Sequence, residues 1–324
     1  MTDVLFPNLA DIYQARQRIS GLVRKTPLIA SERLSRLLGT DVYLKLENLQ
    51  LTGTFKARGA ANKIFSLSQS EKKQGVIAFS TGNHGRAVAF ICRSLGIPVV
   101  ICLSERVPHF RVEAMRALGA EVVAFGQSQD EAYQKALDIQ YDRSLTMVAP
   151  FDDFEVICGQ GTMALEIFEE IPYVGSLLIP LSGGGLFSGV ALAAKTINPA
   201  VHTVGVSMTV APAMIRSLQA GKPIEIPEVD SLADALLGGI GLDNRLTFEL
   251  TRRYLDRYIE VSEEEIGRAM VQALLLDRQI IEGSGAVGLA ALESGKFNGQ
   301  GPVVIVISGG NVETKTLLEL TKQY

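Results

Sequence analysis

Short apolar runs rich in Val, Ile and Leu alternate along this chain with segments of helical spacing. The runs show little alternation between polar and apolar residues, which is typical of strands buried on both faces of a parallel sheet. The strand candidates are Val42–Leu46, Val76–Phe79, Val99–Leu103, Glu121–Ala124, Leu177–Leu181, Thr203–Val206 and Val303–Ile307. Helical patterns such as Arg86–Leu95, His109–Leu118 and Gln129–Ile139 lie between them. This order predicts βαβ units and an open α/β fold.

The composition limits the kinds of partner that the chain can have. Of its 324 residues, 47% are hydrophobic and 20% are charged, and the formal net charge is -4, which indicates a globular protein without a polyanion-binding surface. Arg252, Arg253 and Arg257 are interleaved with acidic residues, a pattern typical of a solvated helix face. We therefore expect no nucleic-acid partner.

The sequence also indicates a reducing compartment. No apolar stretch reaches the roughly 20 residues that a membrane span needs, and Met1 to Tyr13 lacks the basic start of a signal peptide. Cys92, Cys102 and Cys158 match no zinc or redox spacing and lie in apolar runs, which predicts buried, reduced side chains. We expect a cytoplasmic protein with no membrane contact.

A lysine follows a helix start in the segment 47–60. Lys56 comes just after Thr52, Gly53 and Thr54, which favour the beginning of a helix. A cation in the first turn opposes the helix dipole, so the pKa of its amine falls and the neutral form is favoured. A lysine that reacts with a carbonyl group needs that neutral form. An ordinary surface lysine is the alternative that this segment alone leaves open.

Two polar turns follow strand candidates and precede helical patterns. Ser80–Gly85 follows Val76–Phe79, and Leu181–Gly189, with three consecutive glycines, comes at the end of Leu177–Leu181. Such junctions present backbone N–H groups to an anion, which could be a substrate carboxylate at the first turn and a phosphate at the second. No Lys-Ser/Thr pair follows the glycines, so a nucleotide triphosphate loop is not indicated. Plain helix starts remain the alternative for each turn taken alone.

A fourth turn, Ser308–Asn311, follows the last strand candidate. A serine at the carboxyl end of such a strand faces the crevice where open α/β sheets bind ligands, and its hydroxyl can donate to a ring nitrogen. A simple tight turn explains the residues equally well. Gly283–Gly288 matches the pattern G-x-G-x-x-G, but no good strand precedes it and no acidic residue ends the next strand. An NAD site is therefore disfavoured.

In this order, the four segments 47–60, 80–85, 181–189 and 308–311 resemble those of the fold-type II pyridoxal phosphate (PLP) enzymes. Within that family the chain is similar to the serine/threonine dehydratase and serine racemase group, from about Val23 to Asn311. The stretches 80–86 and 239–244 also resemble the dehydratase-like proteins of hydroxyectoine utilisation.

The resemblance implies a role for each candidate residue. Lys56 would attach PLP covalently and act as the base at the substrate Cα. The other cofactor contacts would be Phe55 beside the ring, Asn83 at the phenolic oxygen, Ser182, Gly183, Gly184, Gly185 and Leu186 around the phosphate, and Ser308 at the pyridine nitrogen. The substrate carboxylate would lie against Ser80, Thr81, Gly82 and His84.

The resemblance also implies the architecture. It predicts two open, twisted, mostly parallel sheets covered by helices, with a small lobe, 48–154, inserted into a large lobe made of 1–47 and 155–324. A homodimer is the family-level expectation.

Four positions depart from the family pattern. Thr81 stands where many dehydratases have Ala and where racemases have a catalytic Ser, and Arg86 replaces a usual Gln. Ser207 replaces a Glu that binds a divalent cation in racemases, so we expect no metal site there. Gly283 replaces a Pro after Glu282, so the local backbone can differ.

The predicted activity is PLP-dependent β-elimination from a small hydroxy amino acid such as threonine or serine, giving a 2-keto acid and ammonia. A neutral partner at the pyridine nitrogen, Ser308, favours elimination over transamination. The alternatives are a racemase, a dehydratase of a hydroxyectoine-derived or 3-hydroxyaspartate-type substrate, a catalytically inactive binding protein, and an NAD oxidoreductase. Retention of Lys56 argues against the inactive protein.

Overall fold

The computed structural model describes residues 5–80, 82–227, 229–299 and 301–324. Thr81, predicted to act in catalysis and substrate binding, therefore lies outside the described residues. The strands of the described chain are β1 (Leu28–Ala30), β2 (Val42–Leu46), β3 (Val76–Phe79), β4 (Val99–Leu103), β5 (Glu121–Ala124), β6 (Thr146–Met147), β7 (Ser176–Pro180), β8 (His202–Met208), β9 (Arg257–Val261) and β10 (Val303–Ile307).

Helices cover both sheets. They are α1 (Leu9–Ile19), α2 (Glu32–Leu38), α3 (Lys56–Ser66), α4 (Gln69–Gln74), α5 (Asn83–Leu95), α6 (His109–Arg116), α7 (Gln129–Arg143), α8 (Phe154–Glu170), α9 (Gly185–Ile197), α10 (Ala213–Ala220), α11 (Thr247–Tyr254), α12 (Glu263–Leu275), α13 (Gly283–Glu293) and α14 (Thr314–Gln323). Short 3-10 turns lie at Glu47–Leu49, Leu51–Gly53 and Asp234–Leu236.

The strands form two sheets. The larger has the order β1-β2-β10-β7-β8-β9 and the smaller the order β5-β4-β3-β6. Every strand pair is parallel except β1 with β2. The four strands of the smaller sheet are consecutive in the chain and lie inside the predicted small lobe, 48–154. The predicted α/β class with two mostly parallel sheets is therefore confirmed, whereas the lobe boundaries stay a prediction.

All seven predicted strands are present, and β7 and β8 differ from the prediction by one or two residues at their ends. The sequence missed β1, β6 and β9. These are short or edge strands with partly exposed residues, so they carry no continuous apolar run. The prediction that Arg252, Arg253 and Arg257 share one helix face is wrong for Arg257, because α11 ends at Tyr254 and Arg257 begins β9.

Three helices stack closely and set the frame of the site. α8 packs between α3 and α9, and glycines at the crossings let the backbones touch. A Cβ atom on Gly159 of α8 would lie 2.6 Å from the carbonyl oxygen of Arg58 in α3. One on Gly161 would lie 2.9 Å from the carbonyl oxygen of Gly189 in α9. This stack positions the site, because α3 begins at Lys56 and α9 begins at Gly185, the last residue of the turn 182–185, which we call the glycine turn.

Candidate active site

Lys56 is the first residue of α3, as the sequence predicted. Its Nζ donates a hydrogen bond to the carbonyl oxygen of Pro150 at 2.7 Å and lies 5.3 Å from the centre of the Phe55 ring. Burial lowers the pKa of the amine from 10.5 to about 8. The predicted direction is therefore right, and the cause is the loss of solvent around the buried amine, which the sequence did not indicate.

The beginning of α3 is held against the end of β10. The N–H of Phe55 donates to the carbonyl oxygen of Ser308 at 3.0 Å, and the Thr54 hydroxyl donates to the same oxygen at 3.2 Å. This pairing brings Lys56 and Ser308 to one cavity although they are far apart in sequence. The Ser308 hydroxyl donates to the carbonyl oxygen of Ser284 at 3.3 Å, and the residue is buried.

The glycine turn joins β7 to α9 and is enclosed from two sides. On one side is Phe151: a Cβ atom on Gly183 would collide with its ring, and one on Gly185 would lie 2.8 Å from its Cα. On the other side α11 contacts Gly184, which has a φ of 87°. The N-cap, Gly184, provides no side-chain acceptor to the first turn of α9, so main-chain N–H groups there are available to an anion.

The turn after β3 contributes Ser80, Gly82 and Asn83. The N–H of Gly82 donates to the Ser80 hydroxyl at 3.2 Å, and α5 begins at Asn83. The Asn83 amide donates to a carboxylate oxygen of Glu282 at 2.7 Å and accepts from the Asn311 amide at 2.7 Å. Its second amide hydrogen is left for a ligand, so the predicted contact with a phenolic oxygen is compatible with this geometry.

Glu282 is a candidate functional residue for which the amino-acid sequence indicated no role. Its carboxyl group is buried, and burial followed by the nearby charge of Asp234 raises its pKa to about 7. The hydrogen bonds from Asn83 and from the N–H of Asn311 oppose this shift. The sequence showed only a Glu beside a turn, and nothing local indicated that it would face Asn83 across the cleft.

His84 is buried, and its Nε2 lies 2.8 Å from the carbonyl oxygen of Val148. Burial, followed by the charge of Lys56, lowers the pKa of the imidazole to about 3. The ring is therefore neutral, and Nε2 must carry its proton because a carbonyl oxygen only accepts. Nδ1 is then an acceptor, so the ring has no N–H to offer a substrate carboxylate. The predicted role of His84 consequently depends on its main-chain N–H.

One cavity is lined by every predicted site residue that the structure describes. Its lining consists of Phe55, Lys56, Ser80, Gly82, Asn83, His84, Gln129, Pro150, Phe151, Pro180, Ser182, Gly183, Gly184, Gly185, Leu186, Asp234, Ala235, Leu236, Leu237, Gly239, Glu282, Ser284 and Ser308. Lys56 is the one cation of this described lining. The sequence had not singled out Pro150, Phe151 or the stretch 234–237, because each reaches the cavity through tertiary packing.

The glycine pattern 283–288 belongs to α13, and residues 280–282 form no strand. It therefore lacks the strand–turn–helix context of a dinucleotide site. Within the described ranges, no group of three or more His, Cys, Asp or Glu residues is arranged to hold a metal ion. Of the helices described, none has the length and apolar character that crossing a bilayer requires.

Comparison with known proteins identifies the family. The model of the family described as "Pyridoxal-phosphate dependent enzyme" matches residues 19–309. This chain belongs to that family. Its predicted family and its predicted cofactor, PLP, are thereby confirmed.

Individual members of the PLP family are similar over nearly the whole chain. The L-threonine ammonia-lyase of Thermotoga maritima is 43% identical over 95% of this chain and 77% of its own length. Maize serine racemase has a TM-score of 0.92 at 33% identity, covering 98% of each chain. The processed threonine deaminase isoform 2 of Solanum lycopersicum has a TM-score of 0.87 at 31% identity, covering 99% of this chain and 93% of its own.

The residues of the cavity fit PLP. The cofactor combines an aldehyde, a phosphate and an aromatic ring, and each finds a suitable group here. Lys56 offers an amine whose pKa is about 8, and the glycine turn offers free N–H groups at the start of α9. Asn83 and Ser308 add polar side chains to the lining of the same cavity.

Proposed function

We propose that this protein is a threonine/serine ammonia-lyase, which removes the β-hydroxyl group of its substrate and yields a 2-keto acid and ammonia. The observation that carries the proposal is the desolvated amine of Lys56 in the same cavity as the glycine turn. The similarity to threonine ammonia-lyases and threonine deaminases along nearly the full chain supports the ammonia-lyase class predicted from the sequence.

When bound, PLP supplies an electron sink for the negative charge that develops at the substrate Cα. The protein must supply the base. The Lys56 amine is the candidate because, with a pKa of about 8, a useful fraction of it is neutral near neutral pH. The carbonyl oxygen of Pro150, 2.7 Å away, orients Nζ before it takes the Cα proton.

Other residues would orient the substrate and the cofactor. We assign the substrate carboxylate to the start of α5, near Ser80, Gly82 and the main-chain N–H of His84, because a helix start attracts an anion. We assign a phosphate to the glycine turn for the same reason. The Ser308 hydroxyl, a neutral group, is suited to a ring nitrogen that stays unprotonated, which favours loss of the β-hydroxyl over amino-group transfer.

The first test is a substrate panel on the purified protein and on Lys56→Ala. The wild type should show visible absorbance that borohydride bleaches and should release 2-keto acid from threonine and serine. Lys56→Ala should lose at least about 10³-fold in kcat, because it lacks the base and the attachment point. A wild type that is colourless and indifferent to added PLP would contradict the proposal.

A racemase is the second candidate, because the chain is also similar to maize serine racemase over 98% of its length. The two activities are separated by measuring D-serine and pyruvate from L-serine in one sample. We expect pyruvate to form faster. Faster formation of D-serine would reverse the assignment.

The charges of the cavity disfavour a 3-hydroxyaspartate-type substrate. Asp234 and Glu282 both line the cavity, and Lys56 is needed for the cofactor. A second substrate carboxylate would lie beside these acidic groups, and the described lining offers no second cation to pair with it, and Arg111 is already paired with Asp234. We expect 3-hydroxyaspartate to be a poorer substrate than threonine in the same panel. A hydroxyectoine-derived substrate stays an alternative to be included there.

We also propose a homodimer in a reducing compartment such as the cytoplasm. Exposed Ile280 lies near exposed Leu49, since the Asn48 amide donates to the carbonyl oxygen of Ile280 at 3.2 Å, and Leu275 and Leu276, a few residues earlier in the chain, are also exposed. Such a group of exposed apolar side chains is suited to an interface. Light scattering should give twice the chain mass, and Leu276→Asp should lower the measured mass.

The three cysteines are free and buried, which supports a reducing location.

A further inference from the structure

Asp152 lies in the irregular segment 148–153, between β6 and α8, and its carboxylate reaches a distant part of the chain. Oδ2 accepts the N–H of Arg245 at 2.9 Å. Oδ1 accepts the N–H of Leu246 at 2.9 Å and that of Thr247 at 2.8 Å. The N-cap of α11, Leu246, has no side-chain acceptor of its own. Asp152 therefore caps α11 from outside that helix.

The two residues before Asp152 contact the two parts of the site that hold the cofactor. The carbonyl oxygen of Pro150 accepts the hydrogen bond from Lys56 Nζ. Phe151 fills the space beside Gly183 and Gly185. Three successive residues thus contact the lysine, the glycine turn and the start of α11.

The start of α11 supports the same glycine turn from its other side. A Cβ atom on Gly184 would lie 2.9 Å from Cβ of Thr247 and 3.1 Å from the hydroxyl oxygen of Thr251. The Ser188 hydroxyl, one turn into α9, donates to the carbonyl oxygen of Thr247 at 3.3 Å. The turn is therefore held between Phe151 and α11, and the Asp152 carboxylate joins these two walls.

We propose that Asp152 is a positioning residue of the cofactor site: by fixing α11 to the segment 150–152, it holds the glycine turn and the Pro150 carbonyl at their places around Lys56. This inference rests on the proposed PLP site and adds the residue that determines its shape. Groups around a site act at full strength only when their own supports hold them in place.

The test compares Asp152→Asn with Asp153→Asn. The matched control changes the neighbouring aspartate, which caps α8 through the N–H groups of Glu155 at 2.8 Å and Val156 at 3.1 Å and does not line the cavity. Both changes remove one carboxylate from the same segment. Only the first weakens the link between the walls of the glycine turn, because it replaces one of the two acceptor oxygens by an NH₂ group.

Two readouts are used besides turnover. The first is the dissociation constant of PLP, from absorbance titration of protein stripped of cofactor. The second is the pH midpoint of the rate at which PLP reattaches, which follows the neutral fraction of Lys56. For Asp152→Asn we expect a dissociation constant at least tenfold higher and a midpoint above the wild-type value of about 8, because the loosened segment admits water to the amine.

Asp153→Asn should lower the unfolding temperature but leave both readouts within about twofold of the wild type. Equal effects of the two changes, or wild-type PLP binding and midpoint in Asp152→Asn, would overturn the proposal while leaving the ammonia-lyase assignment intact. If Asp152→Asn does not fold, Asp152→Glu provides the same comparison. It keeps the charge but misplaces the oxygens, so the dissociation constant should again rise, and an unchanged value would contradict the proposal.

Discussion

The pKa values of the titratable residues in this site are shifted mainly by their burial away from water. Lys56 and His84 lie close together, and burial lowers the pKa of both. Glu282 shows the converse, because burial disfavours its negative charge. A buried site therefore holds an amine, an imidazole and a carboxyl group that are all closer to neutrality than they would be in water.

The Lys56 amine should show this directly. In protein stripped of cofactor, labelling of Lys56 by an amine reagent should rise with pH around a midpoint of about 8. A fully solvated lysine titrates at about 10.4, so at pH 9 Lys56 should already be near its maximal rate. Mass spectrometry of labelled peptides measures this, with a blocked lysine amino acid as reference. A midpoint close to that of the reference would show that the amine is solvated.

Glu282 should make the stability depend on pH. Its folded-state pKa of about 7 lies above the ordinary value of 4.5, so the unfolded chain releases this proton first as pH rises. The stability present below pH 4.5 is then lost as pH rises towards 7, by up to about 3 kcal/mol. Glu282→Gln should remove this loss, so its unfolding temperature relative to the wild type should rise between about pH 5 and 7.5. A pH-independent difference would disprove the assignment.

At the scale of the helices, close backbone contacts fix the relative positions of the residues in the site. Because α8 touches α3 and α9 at glycines, the distance between Lys56 and the glycine turn is set by backbone packing rather than by flexible side chains. A change in the α3–α8 spacing should therefore alter cofactor binding as well as stability.

Gly159→Ala tests that coupling. The added methyl group would lie 2.6 Å from the carbonyl oxygen of Arg58 and 2.7 Å from Cα of Gly59, so the helices must separate. We expect a loss of about 1–3 kcal/mol in unfolding free energy and weaker PLP binding. The control is Gly96→Ala, at a helix end with a φ of 65° and no atom within 4 Å, which should cost about 1 kcal/mol and leave PLP binding unchanged.

At the scale of the whole molecule, a buried group of four charged side chains near the start of α3 connects distant parts of the fold. Arg58 bonds Glu47 at 2.7 Å and Glu166 at 2.6 Å, and Lys45 bonds Glu166 at 2.6 Å. Burial works against the charge of Arg58, but Glu47 and Glu166 outweigh it and raise the pKa of the guanidinium group. The group connects β2, α3 and α8, so it links the larger sheet to the helix that carries Lys56.

Arg58→Met should be strongly destabilising because it leaves Glu47 and Glu166 buried without their main partner. The expected loss is about 3–5 kcal/mol, seen as a lower urea midpoint at constant slope. Arg268→Met removes an exposed pair with Glu264 and should cost less than about 1 kcal/mol. Similar losses for the two changes would show that the buried group is not a specific support.

The α/β class, the seven main strands and the four polar turns could be predicted from the amino-acid sequence, because an apolar run followed by a turn of Gly, Ser and Asn carries its own geometry, and parallel strands bring such turns to one edge of a sheet. The family and the cofactor followed from the resemblance of these turns to those of PLP enzymes. The remaining features appear only in the folded chain. Pro150, Phe151 and Asp152 reach the site from a segment without regular structure, and Glu282 meets Asn83 only after folding. Desolvation, which sets the pKa of Lys56, depends on every neighbour at once, and no local pattern encodes it.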